Sequence, residues 1–195
     1  MVRVLAVNNY PSDERFDRLR KCLELNGASV TAVGWNGCSP SEFGRFDGVA
    51  LSGSPDMLSE ERARLKYAEE MESIRGTATP LLGVCFGLQL IATAFGSEVV
   101  KDARPVLDFV STDLIVDDPL FAGIPKPASL LESRHEVVKS VPSGFRLIAR
   151  SETSPIAGVR HEKLPIYGVQ SHPERYSSQH PDGNLLVGNF VRMLA

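Results

Sequence analysis

Cysteine is scarce in this chain of 195 residues, with Cys22, Cys38 and Cys85 the only three. The count is odd and no two of them form a C-x-x-C pair, so a disulfide framework is not expected and a reducing compartment is. No spacing of Cys and His suits zinc. No Walker-type glycine loop is present to cradle nucleotide phosphates, so any ATP chemistry belongs to another chain or to a site of another kind. A strong excess of charge of one sign is lacking as well. A formal net charge of −3 leaves no basic footprint for nucleic acid. No apolar run nears membrane-spanning length, and the N-terminus enters a strand pattern without the layout of a signal peptide. No repeat, linker or low-complexity tract interrupts the chain. The expectation is a single cytoplasmic domain over residues 1–195, with no metal, no cofactor, no nucleic-acid partner and no membrane. A hydrophobic content of 43% is enough for an ordinary core.

What the chain does have is strand–helix alternation in its first half. Val2 to Val7 is almost wholly apolar, the pattern of a parallel strand buried on both faces. Asn8-Asn9-Tyr10-Pro11 reads as a turn, and Ser12 is placed to cap a helix with Phe16, Leu19 and Leu23 on one face. Glu14 with Arg18, and Asp17 with Lys21, have the spacing of ion pairs on the other face, and Gly27 ends the helix. Strands are predicted at Ala28–Val33 and Asp47–Leu51, the latter running into Ser52-Gly53-Ser54-Pro55. Ser59 is the predicted cap of one long polar helix to about Arg75. Leu81 to Val84 is a further short strand. Leu88, Ile91, Ala92 and Phe95 then recur at helical spacing, and Gly96 closes that helix.

This alternation predicts an α/β fold, a doubly wound, mostly parallel twisted sheet. In such sheets ligands sit beyond the carboxyl ends of the strands, and Asn8–Ser12, Ser52–Pro55 and Cys85 all fall there. From Gly96 to about Gln170 the pattern changes to short strands punctuated by prolines. A smaller mixed or antiparallel sheet laid against the main one is expected there, with a final apolar helix from Gly183 to Leu194 carrying Leu186 and Phe190.

Two stretches carry chemistry. In Gly83-Val84-Cys85-Phe86-Gly87, a cysteine sits on a sharp strand-to-helix turn between glycines, the layout of a nucleophile elbow. The helix N-terminus aims free N–H groups and partial positive charge at the thiol, favouring thiolate. Taken alone, the elbow fits a core cysteine equally well. In Ser171-His172-Pro173-Glu174, Pro173 forces His172 into extended backbone, where residues two apart share a side. Glu174 can then hold the imidazole, which serves as base and acid for a thiol. Together the three form a triad constellation. The amide of Phe86 is one expected oxyanion donor. The other comes from Gly53 or Ser54, because Pro55 has no N–H to give.

Pro80-Leu81-Leu82-Gly83-Val84-Cys85-Phe86-Gly87-Leu88-Gln89-Leu90 and Tyr167-Gly168-Val169-Gln170-Ser171-His172-Pro173-Glu174 resemble the class I (triad) glutamine amidotransferases, nearly end to end. Leu51 to Pro55 and Gly183 to Phe190 belong to the same likeness. Within the family the chain is most similar to the stand-alone amidotransferase subunits of the GMP synthase type, through Val141 to Phe145, Ala149 to Ser151 and Pro165 to Gln170. The resemblance implies a flavodoxin-like sheet and a catalytic set of Cys85, His172 and Glu174. It also implies an oxyanion hole from Phe86 with Ser54 or Gly53, and substrate contacts from Gln89, Ser133, Arg134 and His135. L-Glutamine would be hydrolysed through a Cys85 thioester, and ammonia passed to an ATP-dependent synthetase subunit. The chain departs from the family pattern at Ser54, where a second glycine is usual, at Ser171, where Phe is usual, and at Ser133-Arg134-His135-Glu136, which replaces Ser-His-x-Asp. Three other readings stay open: an independent γ-glutamyl amide or peptide hydrolase, an anthranilate-type subunit suggested by Asn9-Tyr10-Pro11-Ser12, and a non-catalytic regulatory relative.

Overall fold

Apolar stretches too short to be helices, flanked by glycine and proline, become the centre of a sheet covered on both faces. The computed structural model describes the whole chain, Met1–Ala195. In chain order the first half runs β1 (Val2–Asn8), α1 (Asp13–Leu25), β2 (Ala28–Gly34), α2 (Pro40–Phe43), β3 (Gly48–Leu51), α3 (Glu61–Lys66), α4 (Ala68–Gly76), β4 (Leu81–Val84) and α5 (Phe86–Ala94). The second half runs β5 (Val99–Leu114), β6 (Ala128–Val138), β7 (Phe145–Ser151), β8 (Gly158–His161), β9 (Ile166–Val169) and α6 (Asp182–Met193). All nine strands join one sheet in the order β2-β1-β3-β4-β9-β8-β7-β5-β6. The β2-β1-β3-β4-β9 part is parallel, and every pairing from β9 to β6 is antiparallel. The doubly wound expectation holds. The antiparallel half is joined to the parallel one edge to edge through β9, and not stacked on it.

Alternate residues of each parallel strand feed two separate cores. Val4 and Ala6 pack with Phe16, Leu19 and Leu23 of α1 and with Leu186 and Phe190 of α6. Leu5 and Val7 pack on the other face with Met71 and Ile74 of α4 and Leu88 and Ile91 of α5. Being covered on both sides, β1, β3 and β4 carry no polar alternation. No helix is long and apolar enough to cross a membrane.

Several local expectations are overturned. The polar helix predicted from Ser59 to Arg75 breaks at Tyr67 into α3 and α4. The Tyr67 ring is fully buried, edge-on to Phe86 at 4.9 Å and to Trp35 at 5.6 Å, so tertiary packing overrides local helix propensity. Neither Ser59 nor Ser12 caps a helix with its side chain. The predicted pairs on α1 give way to Arg20 bridging Asp17 at 2.9 Å and Glu24 at 3.7 Å. Where short strands are expected after Gly96, the chain instead forms a long β5–β6 ribbon. Pro105 is tolerated there because the register shifts between Lys101 and Val106.

Candidate active site

The elbow is built by close approach of three backbones. A Cβ on Gly83 would strike the backbone of Gly87 at 2.5 Å, and one on Gly87 would strike the Leu51 carbonyl oxygen at 2.8 Å. Cys85, between them, is the one non-glycine residue with positive φ, at 52°. An L-residue held there is strained, the hallmark of a residue fixed for use. Its amide donates to the Val169 carbonyl at 2.8 Å, tying the elbow to the end of β9. Its Sγ lies 3.6 Å from the Ser133 carbonyl oxygen and 3.6 Å from Nε2 of Gln170.

His172 follows β9, and its amide donates to the Leu131 carbonyl at 2.7 Å. The extended run expected through Glu174 is not formed. Pro173–Arg175 is a turn of 3-10 helix with proline in its first turn, where a missing N–H costs nothing. That turn still brings Glu174 Oε1 to 2.7 Å from His172 Nδ1, with both side chains buried. Burial works against a protonated imidazole. The facing Cys85 sulfur and the Glu174 carboxylate outweigh it and hold the His172 pKa well above its ordinary value. The other cysteines lack such partners. Burial pushes the Cys22 thiol up to about 12 and raises that of Cys38, leaving both inert.

The turn after β3 closes the third side. A Cβ on Gly53 would strike the Tyr10 hydroxyl and His172 Cε1, so Gly53 lies directly against the imidazole. Burial first, and then the Glu174 carboxylate, push the Tyr10 phenol up. The backbone N–H of Ser54 donates to no atom of the protein, and that of Phe86, at the first position of α5, is one of the amides a helix leaves without an intrahelical acceptor. The thiol opens into a cavity of about 60 Å³ that Gln89, Ser54, Met57 and Ser133 help to line. His172 and Glu174 line a wider cleft of about 330 Å³, rimmed by Arg15, Arg18 and Arg175. Ser54, Pro55, Ser133 and His135 border both. Larger hollows elsewhere, such as one of about 440 Å³ at residues 116–126, hold neither Cys nor His.

Of the expected substrate residues, Gln89 is buried beside the thiol, with its Nε2 donating to the Glu136 carbonyl at 3.1 Å. Ser133 offers its carbonyl to the sulfur, and His135 is exposed at the mouth. Arg134 requires correction. Its guanidinium is sealed inside, with Nε on Glu132 Oε2 at 2.8 Å, Nη1 on Asp102 Oδ2, and Nη2 on the Thr153 carbonyl. Arg134 is still among the residues lining the thiol cavity, and Ser151, Thr153 and Ser154 hydroxyls complete the coordination of Glu132. Four neighbours went unread. Gln170 touches the sulfur and Tyr10 abuts Gly53. Glu136 accepts from two loop amides, and Ser52 donates to the Gly53 carbonyl in the turn after β3. Their only sequence signal is nearness to the motifs, since each acts through a partner far along the chain.

The family described as glutamine amidotransferase class-I matches residues 8–193. The chain is 38% identical over 148 residues to the glutamine-hydrolyzing GMP synthase subunit of Thermococcus kodakarensis, spanning 75% of this chain and 74% of that one. It is 36% identical over 146 residues to the same-named protein of Pyrococcus abyssi, again over 75% and 74%. The solved structure of a GMP synthase subunit from Thermoplasma acidophilum superposes with a TM-score of 0.86 at 28% identity, covering 100% of this chain and 94% of that one. With a strained cysteine elbow, a buried His–Glu pair beside it and this likeness along nearly its whole length, the chain belongs to the class I glutamine amidotransferases.

Proposed function

We propose that the 195 residues form one amidotransferase unit that hydrolyses L-glutamine and supplies ammonia to an ATP-dependent synthetase subunit of the GMP synthase type. Cys85 is the nucleophile. Its sulfur adds to the side-chain amide carbon of glutamine, and the resulting oxyanion accepts hydrogen bonds from the free N–H groups of Phe86 and Ser54. The C–N bond then breaks as the His172 imidazolium gives its proton to the departing nitrogen, leaving ammonia and a γ-glutamyl thioester. Water, deprotonated by His172, attacks the thioester through a second oxyanion, releasing glutamate and restoring the thiol. Glu174 keeps the imidazole oriented and stabilises its protonated form through both steps.

The observation that carries this reading is the 2.7 Å His172–Glu174 pair standing beside a thiol on the one strained non-glycine residue. The cavity over the sulfur, about 60 Å³, shares Ser54, Pro55, Ser133 and His135 with the wider cleft, and the preference for glutamine over a γ-glutamyl peptide rests on the glutamine-hydrolyzing relatives. The acceptor assignment rests on the relatives, and the absence of a phosphate-binding loop in this sequence fits ammonia being used on another chain.

Acid quenching during turnover, followed by peptide mass spectrometry, tests the covalent step. One glutamyl group on the Cys85 peptide is expected, and none in Cys85→Ala. Glutamate release by Cys85→Ala at the wild-type rate would refute the assignment.

A further inference from the structure

Whether the oxyanion turn is ready before substrate arrives depends on which way one peptide plane faces. We infer that Ser52, a residue that touches neither the thiol nor the imidazole, is a positioning residue that presets the Gly53–Ser54 peptide with its N–H available to the oxyanion. The inference deepens the glutaminase reading and rests on it.

The geometry is a buried relay with a fixed direction. The Asn9 amide donates to Ser52 Oγ at 2.9 Å. That hydroxyl has a single hydrogen of its own, and the Gly53 carbonyl oxygen lies 2.9 Å away to receive it. Asn9 is itself pinned. Its Nδ2 donates to Glu70 Oε1 at 3.2 Å, and its carbonyl lies 3.3 Å from the Tyr67 hydroxyl, whose single hydrogen goes to Asp56 Oδ2 at 2.8 Å. Asn9, Ser52, Glu70 and Tyr67 are all buried, so water does not compete for these bonds. The relay therefore runs from α4, across the end of β1, to the end of β3.

A peptide group is planar and trans, so its C=O and N–H point in opposite directions. Holding the Gly53 oxygen on Ser52 turns the Ser54 N–H the other way. That N–H has no acceptor in the protein, and Ser54 borders the cavities of both the thiol and the imidazole. A flipped peptide would present its carbonyl to the site and strip Ser52 of its acceptor, leaving a buried hydroxyl hydrogen unpaired. The flip is made harder because the residue after Gly53 carries a side chain, and Ser54 Oγ is itself engaged with the Asp56 amide at 3.1 Å. A single deletion, Ser52→Ala, removes the tether without touching the nucleophile, base or substrate cavity.

The test measures glutamine hydrolysis by wild type and Ser52→Ala, with and without the synthetase partner. Iodoacetamide alkylation of Cys85 and affinity for the aldehyde analogue of glutamine are measured beside it. The aldehyde adds to the thiol and places a tetrahedral oxygen in the hole, whereas alkylation needs the thiolate alone. The expected result is a kcat lowered by about 10²-fold in both settings with KM within about twofold, the scale of losing one oxyanion donor. Aldehyde affinity should fall by a similar factor and alkylation should not change. A kcat within threefold of wild type overturns the inference. So does a loss of alkylation parallel to the loss of kcat, which marks a collapsed site. If wild type itself neither releases glutamate nor binds the aldehyde, the glutaminase reading fails instead.

Discussion

The carboxylate of Glu136 spans two consecutive backbone amides, accepting from Leu58 at 2.8 Å and from Ser59 at 3.1 Å. These amides belong to the loop that carries Pro55, Asp56 and Met57 over the thiol cavity, while Glu136 itself stands on β6, which forms the opposite wall. One side chain therefore fixes the separation of the two walls. Its Gln89 contact, through the Glu136 carbonyl, ties the same point to α5.

Glu136→Gln keeps the shape but replaces one acceptor oxygen with a donor facing an N–H. Hydrogen bonds to a charged group contribute about 1.5–3 kcal/mol, and a loss of that order is expected in denaturant unfolding. The KM for glutamine should rise, with kcat less affected. A KM equal to wild type would show that the loop is held by other contacts.

Glu174→Gln isolates the orienting carboxylate. His172 has its pKa raised, with Cys85 and Glu174 both acting in that direction against burial. Removing the Glu174 charge lowers it, so the high-pH limb of the Cys85 alkylation profile should move to lower pH. Turnover should fall by about 10²–10⁴-fold, the range for disabling the orienting member of a triad. The sign for stability follows from the same shift. A histidine raised in the folded state contributes stability that is present below its unfolded pKa and is lost as pH rises through the folded one. An unmoved alkylation profile in Glu174→Gln would contradict this account of the pair.

Glu70 offers a second pH dependence, read in stability and not in turnover. It is wholly buried with only the Asn9 amide as partner, and burial raises its pKa to about 8. The folded state therefore holds a proton that the unfolded chain has already lost, and stability falls as pH rises from about 4.5 to about 8. Glu70→Gln cannot ionise and keeps an acceptor for Asn9. Its melting temperature should decline less than that of wild type over this window and exceed it at pH 9. Parallel curves would place the proton elsewhere.

Gly53→Ala puts a methyl group against the Tyr10 hydroxyl and His172 Cε1. Overpacking of this kind costs about 1–3 kcal/mol, and the imidazole is the part that must give. A kcat reduction of at least tenfold is expected, partly relieved by adding Tyr10→Phe, which removes the nearer obstruction. Wild-type turnover in Gly53→Ala would mean that the imidazole has slack.

The parallel half of the fold was legible because Val4 to Val7 and Leu81 to Val84 are buried on both faces, and a short unbroken apolar run between turn residues suits a strand covered on both sides. Gly83 and Gly87 were legible for a similar reason, since the spacing of residues lacking Cβ encodes a local crossing of strand and helix. The break at Tyr67 was hidden because it depends on Phe86 and Trp35, distant in sequence. Arg134 was misread on the same ground. Next to Ser133 and His135 it looks like a substrate contact, yet its partners Asp102 and Thr153 come from other strands and loops. Periodicity records which face a residue occupies, and the sequence holds no comparable signal for the partner it meets there.

On the proposed function, one chain makes ammonia and another uses it. The most direct measurement is product formation by the reconstituted complex with wild type or Cys85→Ala, fed either glutamine or an ammonium salt. The prediction is that Cys85→Ala abolishes synthesis from glutamine and leaves synthesis from ammonium at the wild-type rate. Loss of both activities, or retention of glutamine-dependent synthesis, would contradict it.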